Sequence, residues 1–149
     1  MAIWQYTFRV IPKSDLKELG VITHLLDKDY NNFTFWRNGN YAPDFFKQLT
    51  TILESKPSWS KDIKLYGTEE SNCVEIFMDD NFISEVTVRI DYRSNYTDLL
   101  NWLIEFCTLN SLALVDEDNE ALQLNATSIV FAIQNSSQYK KLMELKGEN

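Results

Sequence analysis

Residues 63–93 hold three strand-like runs in immediate succession, and this narrows the fold more than any other feature. Ile63–Tyr66, Cys73–Met78 and Phe82–Arg93 read as consecutive strands, separated by Gly67–Asn72 and by the short Asp79-Asp80-Asn81 turn. In the third run Val86, Val88, Ile90 and Tyr92 fall on one side and Glu85, Thr87, Arg89 and Asp91 on the other. That spacing predicts an antiparallel meander with one covered face and one wet face.

The remaining segments supply the cover. Residues 3–11 alternate through Trp4, Tyr6, Phe8 and Val10 and predict a further strand, which Pro12 ends. Ser14 can cap a short helix, Asp15–Leu19, that Gly20 closes. Residues 21–41 show no clear period. Pro43 suits the first position of a helix running to Glu54, with Phe46, Leu49 and Leu53 on one stripe, and Pro57 separates it from the meander. A third helix, Thr97–Leu109, carries an apolar stripe of Leu99, Leu100, Leu103, Ile104 and Cys107. Leu112–Val115 reads as a strand and Asp116–Glu120 as an acidic turn. Asn125 can cap a last helical region that pauses at Ser136-Ser137. The expectation is one α+β domain over residues 1–149, with an antiparallel sheet of four or five strands and helices packed on one face. The order of elements suits a ferredoxin-like topology or a circular α/β sandwich of different strand order.

Charge limits the partners. The chain has a net charge of −8, and the imbalance is local: between residues 65 and 139 only Arg89 and Arg93 stand against thirteen Asp and Glu. Such a field repels nucleic-acid phosphates and anionic lipid and favours a basic partner. The first residues have no basic start followed by an apolar run, and no stretch approaches the length of a membrane span, so the expectation is a cytoplasmic protein. Cys73 and Cys107 read as buried thiols.

Chemistry-bearing motifs are scarce. With His24 as its single histidine, the chain excludes every metal motif that needs two, and a Ser-His-Asp or Cys-His arrangement could be built only around that residue. Four scattered glycines form neither a phosphate loop nor a dinucleotide fingerprint. Asp116, Asp118 and Glu120 resemble the start of a calcium loop, but Ala121 stands where glycine is needed and Thr127 where a bidentate glutamate is needed. The sequence therefore nominates no catalytic, cofactor-binding or metal-binding residue. One aromatic cluster, Tyr30 to Tyr41, has the composition of a binding hot spot, and the competing reading is a plug at the end of the core.

The segments IWQYTFRVIP, WSKDIKLYGTEESNCVEIF, EVTVRIDYR and SIVFAIQNSSQYKKLMEL together resemble small uncharacterised bacterial α+β proteins, a broad group that includes immunity proteins of polymorphic toxin systems. The resemblance implies a non-enzymatic protein that binds and neutralises a toxin, and it carries no functional residue with it. The acidic segment nominates Glu69, Glu70, Glu75, Asp79, Asp80 and Glu85 as partner contacts, with Trp36 as an anchor. Two other expectations stand beside this one: a small-ligand receptor or carboxylate-dependent enzyme with a pocket under residues 30–41, and a homodimer that pairs through a sheet face.

Overall fold

Alternation in the sequence becomes the alternation of a sheet. A computed structural model describes residues 2–38 and 41–147, so Gly39 and Asn40 of the aromatic cluster lie outside the described residues. Strand β1 spans Gln5–Pro12 and is followed by helices α1, Lys13–Leu19, and α2, Asp27–Asn32, and by a 3-10 helix, Pro43–Thr51. Strands β2, Ser55–Lys56, β3, Ile63–Gly67, β4, Cys73–Asp79, and β5, Phe82–Asp91, come next. Helix α3, Thr97–Leu109, strand β6, Leu112–Val115, and helices α4, Ala126–Gln134, and α5, Ser137–Leu145, complete the chain.

The six strands form one sheet in the order β2-β3-β4-β5-β1-β6, and every neighbouring pair is antiparallel. The α+β class holds, but the expected four or five strands become six. The additional strand, β2, is two residues long and sits beside Pro57, too short to show a period.

Register places Phe8 opposite Val88, Tyr6 opposite Ile90 and Val74 opposite Val88, so one face is apolar across β1, β5 and β4. This face joins a single core with Leu99, Leu103 and Phe106 of α3, Ile129 and Ile133 of α4, and Phe46 and Leu49 of the 3-10 helix. Each such fully buried side chain contributes roughly 1.5–3 kcal/mol of transfer free energy.

Local chemistry sets the helix ends. Gly20 closes α1 at φ 73, where its missing Cβ matters, and its N–H donates to the Lys17 carbonyl at 3.1 Å. Asn125 caps α4 by accepting from Ser128 N–H at 2.8 Å, and Ser136 breaks the helical run and caps α5. The expected α-helix from Pro43 is instead 3-10 over Pro43–Thr51. Phe46, Leu49 and Ile52 recur every three residues, a spacing that a 3-10 turn also aligns, and the Thr50 and Thr51 hydroxyls donate back to the Lys47 and Gln48 carbonyls.

One end of the sheet is forked. The β1–β5 ladder stops at Arg9 opposite Thr87, and a bulge between Phe77 and Met78 leaves Ser84 as the extra residue of β5. Trp36 fills the fork from the core side. Its indole N–H donates to the Val10 carbonyl at 3.1 Å, its backbone N–H donates to Asp15 Oδ2 at 2.8 Å, and its φ is 69. Bulky residues adopt such a φ only where the surroundings hold them there.

Candidate functional site

A meander sends successive loops to opposite ends of the sheet, and this sorts the acids. β1 begins where β5 ends, with Gln5 opposite Asp91; β4 begins beside the same point, with Cys73 opposite Arg89; β6 runs back toward the start of β1. Loops 67–72, 92–96 and 116–120 therefore gather at one end. Side chains of the β1 start tie them together. The Gln5 amide donates to the Glu69 and Ser71 carbonyls, each at 2.8 Å, and the Trp4 indole donates to the Glu70 carbonyl at 3.0 Å. The Glu117 carboxylate takes the Thr7 N–H at 2.9 Å and the Gln138 amide at 2.8 Å, while the Glu117 N–H donates to the Tyr6 hydroxyl at 3.1 Å. Asp116 shapes the acidic turn by accepting from the Asp118 and Glu120 N–H groups, each at 2.9 Å.

Eight carboxylates meet at this end: Glu69, Glu70, Asp91, Asp98, Asp116, Glu117, Asp118 and Glu120. The loops that carry them and the β1 start contain one cation, Arg93, which lies over the Trp4 ring at 4.2 Å and bonds Asp91 at 2.9 Å. Glu69, Glu70, Asp98 and Asp118 are exposed, Glu117 and Glu120 half-buried, and Asp91 and Asp116 buried. Burial opposes the charge of Asp91, yet the Arg93 hydrogen bonds hold its carboxyl below the usual range. Burial pushes the Asp116 carboxyl up. Beside the turn, a concavity of about 500 Å³ runs from Asp116, Glu117 and Asp118 to Phe131, whose ring is 67% exposed.

The residues nominated from sequence do not form one patch. Glu69 and Glu70 lie at the acidic end. Asp79 and Asp80 lie at the opposite end of β4, in a hairpin whose Asp80 and Asn81 have φ 50 and 67 as a two-residue turn requires. Glu75 and Glu85 lie between, on the polar sheet face, and both are paired inside the chain. Glu75 is 3.0 Å from Arg89 with its side chain only 3% exposed, and Glu85 is 3.6 Å from Arg9. Burial pushes the Glu75 carboxyl up against the opposing pull of Arg89. Trp36 is 2% exposed, so it packs the core rather than reaching outward. Trp59, by contrast, is 73% exposed.

The acids that the sequence did not group with Glu69 and Glu70, Asp98 and those of Asp116–Glu120, follow strand ends just as Glu69 and Glu70 precede one. Loop parity along the meander was the signal that could have found them. His24 bonds Glu120 at 2.7 Å on the surface. Cys73 and Cys107 are buried free thiols, both pushed up to about 12 by burial. Among the described residues no group of three or more His, Cys, Asp and Glu could hold a metal ion, and no helix is long and apolar enough to cross a membrane. Comparison of the chain with protein-family models, with curated proteins and with solved structures gave no match.

Proposed function

We propose that this chain is a non-enzymatic, cytoplasmic protein-binding domain of the immunity type, which neutralises a basic toxin domain by covering it with the acidic end of its sheet. The observation that supports this is the gathering of eight carboxylates at a single end, on loops that carry one guanidinium among them, a distribution that steers and retains a basic partner. Exposed Phe131 beside the acidic turn gives such a contact an apolar centre. Glu69, Glu70 and Asp118 form the rim that a partner's lysines and arginines meet, with Asp79 and Asp80 left outside the contact.

For topology, we read β6-β1-β5-β4 as a ferredoxin-like kernel, supported by β5 lying between β1 and β4, with β3 and β2 added at one edge.

The test inspects the genes beside this one for a toxin, whose absence counts against the proposal, and then pairs the full chain with that toxin. Protection of cells from that toxin is expected, and the charge-reversing set Glu69→Lys, Glu70→Lys and Asp118→Lys is expected to slow association about tenfold or more at low salt. Failure to protect, or association that ignores the charge reversal, refutes the proposal.

A further inference from the structure

The fork between β1 and β5 also opens outward, with Trp36 at its base. Residues of the 30–35 segment border an open cleft of about 410 Å³ there, within the size range of small-molecule sites. Its polar wall is Arg9 and Glu85. The two are 3.6 Å apart, too far for a hydrogen bond, with side chains 36% and 42% exposed. Arg9 Nε is buried and has no hydrogen-bond partner among the described residues. Besides this long ion pair with Glu85, the guanidinium lies over the Tyr30 ring, 4.6 Å from its centroid. Phe33 and Phe35 supply the apolar wall, packed ring to ring at 4.9 Å. The bulge at Ser84 and the strained backbone of Trp36 both border this cleft, and irregularities of that kind are kept where they aim side chains at something.

The donor and acceptor stand side by side, so the ligand they fit has an acceptor and a donor side by side. Charge narrows it further. An anion would meet Glu85 and a chain of net charge −8, and a cation would meet Arg9. We infer that the cleft is a binding site for a small neutral heteroaromatic ring with a lactam edge, its C=O accepting from the Arg9 guanidinium, its N–H donating to Glu85, and its face lying against the aromatic wall. This site is independent of the acidic end, so the fate of one proposal does not decide the other.

The probes are uracil and 1,3-dimethyluracil, which keeps the carbonyls and lacks both N–H groups, followed by saturation-transfer NMR on the full chain. Uracil is expected to bind and the dimethyl compound to bind at least about tenfold more weakly, because Glu85 is left without a donor. Glu85→Gln and Arg9→Lys are each expected to weaken uracil by about the same factor while the thermal melt stays cooperative. Equal binding of the two probes, no binding of either, or variants that bind uracil unchanged would each overturn the inference. The comparison of probes on the unsubstituted chain stands even if a variant does not fold.

Discussion

Replacing Trp36 with Phe separates its role as a wedge from its role as bulk. The backbone strain at φ 69 is the same for both residues and cancels in the comparison. Two losses remain. The Val10 carbonyl loses the indole donor at 3.1 Å inside the core, and an unsatisfied buried acceptor costs about 1–3 kcal/mol. The smaller ring also leaves unfilled space next to Tyr41 and Phe46, whose rings lie 4.9 and 6.0 Å from the indole, adding roughly 1 kcal/mol. The expected destabilisation is therefore about 2–4 kcal/mol, less than the roughly 5–15 kcal/mol that holds a typical domain, so the variant should still fold. Urea unfolding followed by far-ultraviolet circular dichroism measures it as a lower midpoint at unchanged slope. Trp59→Phe is the control, expected within about 0.5 kcal/mol because Trp59 is 73% exposed. A loss below about 0.5 kcal/mol for Trp36→Phe would refute the picture of a buried, bonded wedge.

Two further outcomes are expected. The Glu75 carboxyl is raised from its ordinary value of 4.5 chiefly by burial, so the folded chain holds that proton more tightly than the unfolded chain; the contribution is full below pH 4.5 and is lost as pH rises through the raised value. Glu75→Gln should therefore flatten the fall in stability above pH 4.5, read as the difference between its urea midpoints and those of the parent chain across that range; parallel pH profiles would contradict it. Gly67 has φ 86 and a Cβ there would collide with the Asn72 carbonyl oxygen, so Gly67→Ala should lower stability by at least about 2 kcal/mol, whereas Gly20→Ala, which meets open space, should cost about 1 kcal/mol of backbone strain alone. Equal thermal shifts for the two glycine variants would show that the close approach at Gly67 is absent.

Much of the fold was legible because burial on one side writes itself into a strand as alternation. The runs 63–66, 73–78 and 82–93 and the Asn125 cap needed no tertiary information. Helix α2 and strand β2 left no such trace, because none of Asp27–Asn32 is buried and β2 is held by two backbone pairings rather than by its side chains. The 3-10 helix was read as α because its apolar spacing fits both periods, and the choice between them rests on threonine hydroxyls that compete for backbone carbonyls. The candidate contacts are dispersed for a related reason. Charge counted along the chain grouped Glu75 and Glu85 with Glu69 and Glu70, but pairing with Arg89 and Arg9 depends on which residues stand opposite each other across strands. Trp36 stands among aromatics and Trp59 in a polar run, KPSWSKD, and the gap between β1 and β5 that receives Trp36 is a tertiary feature.

The two borders of the sheet are both blunted. On one side β2 lends only Ser55 and Lys56 to β3; on the other, Leu122 N–H donates to the Leu114 carbonyl and Ala121 N–H to the Thr23 carbonyl, so short segments shield β6. Neither border offers a long run of free peptide groups, and a visiting chain finds little to zip onto. Among the described residues, then, the sheet gives copies of the molecule no ready edge along which to grow into a fibril.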